Sequence, residues 1–255
     1  MKRRVMTALA IILIVAIPVL LGGWPLELLA LFIVASTGYE WMHAEREYTV
    51  WPQWIPILIV VLVVISRWIP SNFDLAYYVA SIIFIWSLPV FFESVTLNNS
   101  FSFLAYFLIF SLIYRAIGFI QLNHFYLITI CFATYGSDTG AYLIGSKFGK
   151  NKMNPRISPK KSWEGFLGGI VFGCICGMAV SMFYLDQINS LANVILCLIC
   201  PITAELGDLC FSAMKRHFHI KDFSDLLPGH GGVLDRVDSL MMNLMVFIIV
   251  YTIML

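Results

Sequence analysis

Charge is scarce in this sequence. Of 255 residues, 16 are Lys or Arg and 15 are Asp or Glu, and the 12% of charged residues compares with about a quarter in soluble domains. A soluble domain of this length needs far more polar side chains to cover its surface, so that class is excluded. Other signatures are missing too. The six cysteines (Cys131, Cys174, Cys176, Cys197, Cys200 and Cys210) sit in or beside apolar runs, and Cys197-x-x-Cys200 has no second pair at zinc-binding spacing, so they read as small apolar residues. No phosphate-binding loop of the GxxxxGK[ST] type is present: Ile144 stands where its first glycine belongs and Asn151 replaces its Ser/Thr. There is no internal repeat and no low-complexity tract. The Lys2-Arg3-Arg4 start could open a signal peptide, but Leu21-Gly22-Gly23-Trp24-Pro25 offers no small-x-small cleavage site, which favours an uncleaved first span.

Apolar length is abundant, with 60% of residues hydrophobic. Runs near the ~20 residues needed to cross a bilayer fall at Val5–Leu21, Leu26–Trp41, Ile55–Ile69, Leu75–Phe92, Phe101–Tyr114, Phe125–Ile144, Phe166–Leu185, Leu191–Met214 and Val237–Leu255. The expected fold is an all-α, polytopic integral membrane protein of about nine transmembrane helices. Pro18, Pro89 and Pro201 interrupt some runs, so eight or ten stay open. With the N-terminus inside, fourteen of the sixteen basic residues lie on the cytoplasmic side and only Arg67 and Arg115 outside, as the positive-inside rule asks. This predicts an N-in, C-out topology with both polar loops cytoplasmic. Residues 1–120 read as a transmembrane scaffold and 121–255 as a catalytic transmembrane domain. Glu27, Glu40 and Glu93 in the scaffold read as interfacial acids, and Glu40 is the one for which a functional role competes most closely.

The net charge of +1 says little about partners; its distribution says more. From Ser212 to Asp238, Lys215, Arg216, Lys221 and Arg236 are packed among Asp222, Asp225, Asp235 and Asp238. Phosphate-binding cations beside metal-binding carboxylates point to phosphoryl or nucleotidyl chemistry at a membrane surface. Glu205, Asp208, Ser212 and Lys215 share one helical face. A lone carboxylate in hydrocarbon costs about 2.5–3.5 kcal/mol, so two on one stripe need a shared partner, either a divalent cation or an internal salt bridge. Asp235 and Asp238 face one way in a first helical turn, where simple capping competes with metal ligation. Between these elements, Pro228-Gly229-His230-Gly231-Gly232 reads as an anion-binding turn or a plain re-entry turn. His230 is either an acid–base group or a hydrogen-bonding turn residue.

The second polar segment holds Ser137-Asp138-Thr139-Gly140-Ala141-Tyr142, read as cytoplasmic loop, and Ser158-Pro159-Lys160-Lys161-Ser162-Trp163-Glu164-Gly165. Ser158 as N-cap and Pro159 at the first helical position would aim a helix N-terminus and two lysines at an anion. Gly165, Gly169, Gly173 and Gly177 recur every fourth residue and read as a helix-packing face.

These motifs resemble the phosphatidate cytidylyltransferases (CDP-diacylglycerol synthases). The match runs from Ser212 through Lys215-Arg216, Lys221-Asp222, Ser224, Pro228, His230-Gly231-Gly232 and Asp235-Arg236 to Asp238, with Asp138–Tyr142, Ser158–Lys161 and Trp163–Gly165 upstream. Phe211 departs from the pattern, since many members carry an acid before the serine. The resemblance implies CTP and phosphatidic acid as substrates, CDP-diacylglycerol and pyrophosphate as products, and Mg²⁺ as cofactor. It implies a metal set of Asp208, Ser212, Asp235 and Asp238. Ser158, Lys160, Lys161, Asp138, His230, Gly231 and Gly232 would hold the nucleotide, with Asp138 and Asp222 as metal or base-recognition residues. Lys215, Arg216 and Lys221 would grip phosphatidate or pyrophosphate, with Arg236 a further catalytic residue. The expected location is a bacterial cytoplasmic membrane with the site facing the cytoplasm. The bilayer is the expected partner and no nucleic acid is; the oligomeric state stays open, a homodimer included. A CTP-dependent transferase for another membrane lipid, such as an isoprenoid, is the alternative enzyme. A secondary transporter is disfavoured because the polar groups gather near one face in one half of the chain.

Overall fold

In hydrocarbon every backbone N–H and C=O must find its partner within the chain, so long apolar runs fold as helices. The computed structural model describes residues 13–46, 51–227, 229 and 231–255. Among them lie nine α-helices: α1 (13–21), α2 (Gly23–Arg46), α3 (Trp54–Ser66), α4 (Asp74–Phe91), α5 (Leu97–Ile120), α6 (Phe125–Phe148), α7 (Trp163–Ser181), α8 (Ser190–His217) and α9 (Leu234–Met254). Five stretches, Ser71–Phe91, Leu97–Ile120, Trp163–Gln187, Ser190–His217 and Leu234–Met254, are long and apolar enough to cross a membrane, and Trp54–Ser66 is a shorter apolar helix. The chain is a helical membrane protein. Lys2, Arg3 and Arg4, with the first twelve residues of the chain, lie outside the described residues, as do Glu47, Pro228 and His230.

Two local expectations are corrected. Ser137–Tyr142 is not loop: α6 runs unbroken to Phe148, so Asp138 projects from a helix. Ser158 does not cap a helix either. Ser158–Ser162 forms strand β2, antiparallel to β1 (Lys152–Asn154) with a register irregularity between their two pairs. The residue before a proline is pushed to extended backbone, and here that bias at Ser158 prevails over proline's preference for a first helical turn. The cap moves to Ser162, whose Oγ accepts from Gly165 N at 3.2 Å, and α7 starts at Trp163. Prolines 89 and 201 lie inside α4 and α8 without ending them.

The helix ends sort into two layers. At one, Arg67 pairs with Glu27 at 2.8 Å and hydrogen-bonds Gln121, and the Asn123 amide donates to Gln187 O. At the other, Asn99 donates to Glu45, Arg216 reaches Ile157 O, and Ser224 reaches Glu40. α6 and α7 are the most extensive helix pair. Gly165, Gly169, Gly173 and Gly177 are all buried on α7, and a Cβ at Gly140 of α6 would lie 2.4 Å from Phe172 Cβ. Beneath the second layer a polar chain joins three helices: Thr203 Oγ1 donates to Asn243 Oδ1 at 2.5 Å and Asn243 Nδ2 to Thr134 Oγ1 at 2.6 Å.

Candidate active site

The second layer holds a cleft of about 690 Å³ between the β1–β2 hairpin and the ends of α6, α8 and α9. It is lined by Asp138, Ser158, Lys160, Lys161, Glu205, Asp208, Lys215, Asp222, Asp235, Arg236 and Asp238, together with Lys152, Ser162 and Ser239. Residues spread over a hundred positions of sequence thus meet in one space.

Each wall has its own local logic. On α8, the i, i+3 spacing does put Glu205 and Asp208 side by side, and their shared partner among the described residues is Lys161. Its Nζ lies 2.7 Å from Glu205 Oε2 and 2.6 Å from Asp208 Oδ2. Burial works against the Lys161 charge, but Asp208 and Glu205 together hold its ammonium above the usual lysine range. The other Asp208 oxygen accepts from Ser212 Oγ at 3.2 Å. One turn on, Lys215 crosses to Asp235 Oδ1 at 2.7 Å and lies over the Phe223 ring.

At the start of α9 the two aspartates diverge in role. Asp235 Oδ2 accepts from Phe223 N at 2.8 Å and Gly232 N at 3.0 Å, so both its oxygens are engaged. Among the described residues, Asp238 Oδ1 accepts only from neighbouring Ser239. Asp138 makes no hydrogen bond or ion pair among the described residues, and it shares the cleft with Glu205, Asp208, Asp238 and Lys161. The turn before α9 closes by Leu227 N donating to Gly231 O at 2.9 Å, with Gly231 at φ 82°, where a side chain would be strained.

The hairpin is fixed from below. Glu164, in the first turn of α7, accepts from Lys150 N at 3.1 Å, Asn151 N at 3.2 Å and Asn151 Nδ2 at 2.7 Å. That holds the hairpin's entry against α7, with Lys152 and Lys160 exposed at the rim.

Some expected site residues stand apart. Arg216 is exposed and braces Ile157 O and Ile220 O, and Lys221 is exposed beyond the lining. Ser212 acts through Asp208, and Gly231 and Gly232 sit behind Asp235 rather than in the cleft. His230 lies outside the described residues. Among those residues no three His, Cys, Asp or Glu side chains converge into a closed metal cage. The donor chemistry still suits Mg²⁺, which takes one or two carboxylates and completes its shell with water and substrate phosphates. Asp208, Asp238 and Asp138 supply such hard oxygens around one space.

Sequence reasoning missed the extent to which Glu40 enters this layer. It is fully buried on α2 and accepts from Ser224 Oγ, Val233 N and Leu234 N. An apolar cavity of about 120 Å³ among α1, α2, α5, α6 and α9 also went unforeseen; Arg236 and Tyr135 line one part of it, and Arg236 belongs to the cleft as well.

Residues 2–254 match the model of the cytidylyltransferase family. A protein of Staphylococcus haemolyticus named phosphatidate cytidylyltransferase is 34% identical over 255 residues, covering 94% of this chain and 95% of its own. One of Staphylococcus aureus with the same name is 35% identical over 251 residues, with the same coverage. A Bacillus subtilis protein so named is 40% identical over 114 residues, 45% of this chain and 42% of its own. The chain belongs to the cytidylyltransferase family.

Proposed function

We propose that this protein is a phosphatidate cytidylyltransferase, converting CTP and phosphatidate to CDP-diacylglycerol and pyrophosphate. The observation that carries the reading is the single cleft in which lysines, an arginine and hard carboxylates meet, in a chain of this family. Lys152, Lys160 and Ser158 on the hairpin take the CTP phosphates. Arg236, common to the cleft and the apolar cavity, takes the phosphatidate headgroup while an acyl chain occupies the apolar side. A phosphate monoester with a second pKa near ~6 is already anionic at neutral pH, so its oxygen attacks without a general base. It bonds to the α-phosphorus of CTP as the bond to the β-phosphate oxygen breaks, and the electron pair leaves with pyrophosphate. Lys215, held in place by Asp235, neutralises charge on that leaving group. Asp208 and Asp238, with Asp138, would hold Mg²⁺, which supplies charge neutralisation at the phosphates. Lys161 fixes Asp208 toward the cleft and keeps Glu205 from standing alone in a buried site.

The same layer sets the sidedness. Lys147, Lys150, Lys152, Arg156, Lys160 and Lys161 on one segment and Lys215, Arg216 and Lys221 on another cluster around the cleft end, which supports a cytoplasmic site, an N-in chain and nine spans in a bacterial cytoplasmic membrane. The test is conversion of labelled CTP by purified protein in phosphatidate micelles, with and without Mg²⁺. Magnesium-dependent appearance of a CDP-lipid with stoichiometric pyrophosphate is expected. Label in a different lipid moves the substrate, and no product with any lipid overturns the reading.

A further inference from the structure

We infer that Glu40, on a helix of the N-terminal scaffold, is a positioning residue for the transfer reaction. Its carboxylate is the only one among the described residues that reaches from the first half of the chain into the segment carrying Asp235 and Asp238. Oε1 accepts from Ser224 Oγ at 2.6 Å and Val233 N at 2.8 Å, and Oε2 accepts from Leu234 N at 2.7 Å. The opening N–H groups of a helix have no acceptor within the helix, and the negative charge lies at the favourable end of the α9 dipole.

Two carboxylates therefore divide one short segment between them. Asp235 takes the N–H groups of Phe223 and Gly232; Glu40 takes those of Val233 and Leu234 and the Ser224 hydroxyl. Gly232 lies between them so tightly that a Cβ there would stand 2.7–2.8 Å from the Glu40 carboxylate. Shifting Glu40 shifts the first turn of α9. Asp235 then loses its seat, and with it the orientation of Lys215 and the direction of Asp238. Among the described residues Glu40 hydrogen-bonds none of the cleft lining itself, so it acts through these groups.

The inference rests on the transfer reaction proposed above, and wild-type protein assayed alongside separates the two: no CDP-lipid from wild type is a failure of that reaction, not of Glu40. In the full-length protein in detergent, Glu40→Gln keeps the size but turns an NH₂ toward N–H donors. A kcat lower by about 30-fold is expected, the scale of losing a charge-assisted contact, with the KM for CTP changed less than about threefold because the hairpin lysines are untouched. Ser224→Ala removes one of the three contacts and folds independently of that replacement; it is expected to lower kcat about fivefold at unchanged unfolding temperature. Glu40→Gln with kcat within about twofold of wild type overturns the inference. So does a loss that only follows the folded fraction while Ser224→Ala is fully active, because Glu40 would then be a packing residue alone.

Discussion

Lys161 shows how one side chain can decide between two readings of a sequence. The i, i+3 acids on α8 demanded a shared cation, and the structure supplies an ammonium from β2. Removing one member of a buried pair leaves the other charge unpaired, at about 3–5 kcal/mol. Lys161→Ala is therefore expected to lower the unfolding temperature in detergent and abolish turnover, while adding Glu205→Gln recovers stability without recovering turnover. A double variant no more stable than the single would sink this account of the pair. Lys161 itself stays charged near neutrality. Because the folded-state pKa of Lys161 is raised, its contribution is complete below the ordinary lysine value of about 10.4 and is lost only as pH climbs through the higher folded value. The two aspartates of α9's surroundings make a second contrast. Asp208→Asn is expected to raise the half-saturating Mg²⁺ at least about tenfold, equivalent to about 1.4 kcal/mol of binding. Asp235→Asn, whose Oδ2 is held by two backbone N–H groups where Asp208 meets only side chains, is expected to lower kcat at saturating Mg²⁺ and leave the half-saturating concentration within about threefold. Magnesium titration of the two variants separates them, and equal shifts would return Asp235 to the metal set. The charge motifs made Asp208, Asp235 and Asp238 legible in the sequence. Their division of labour was not, because it depends on which backbone N–H groups fold back onto each oxygen.

At the scale of elements, the hairpin was the least legible part. Ser158-Pro159 satisfies the rule for a helix start and also the rule that a residue before proline is extended; pairing of Ser158 with Asn154, four residues earlier, decides for the strand. Ser162-Trp163-Glu164-Gly165 is the actual start, and Glu164 is spent on the hairpin's entry rather than on the substrate. Glu164→Ala is expected to loosen the rim that carries Lys152 and Lys160, raising the KM for CTP about fivefold with kcat nearly unchanged. Steady-state kinetics at saturating phosphatidate check it; a fall in kcat at constant KM would place Glu164 with the reacting groups instead. The α6–α7 pair was easier to foresee, because glycines every fourth residue have one geometric consequence, a helix face that another backbone can approach. The apolar run Phe125–Ile144 already carried a helix through Asp138, as α6 does; the reading of Ser137–Tyr142 as loop is what failed. Those polar residues looked like a loop, yet they are the helix's cleft-facing end.

For the molecule as a whole, the apolar runs announced a helical membrane protein, but the cooperation of its two halves was hidden. Glu40 and its acceptors are separated by 184 to 194 residues, and no local pattern joins an acid on a scaffold helix to a glycine-rich turn that far along the chain. The alternation of connectors between two layers is more legible, since each full-length helix reverses the side. Arg67, Gln121 and Gly23 meet at one layer, whereas Ile157, Arg216 and the Lys161 cluster meet at the other. With the cleft cytoplasmic, Arg156 faces inward and Asn123 outward. Single Arg156→Cys and Asn123→Cys variants, made with exposed Cys210 replaced by Ser, test this with a charged, membrane-impermeant thiol reagent. Arg156→Cys is expected to label only in inside-out vesicles and Asn123→Cys only in right-side-out ones. The opposite pattern would invert the topology and put CTP on the wrong side of the membrane; labelling of both from one side would break the alternation on which the nine-span reading depends.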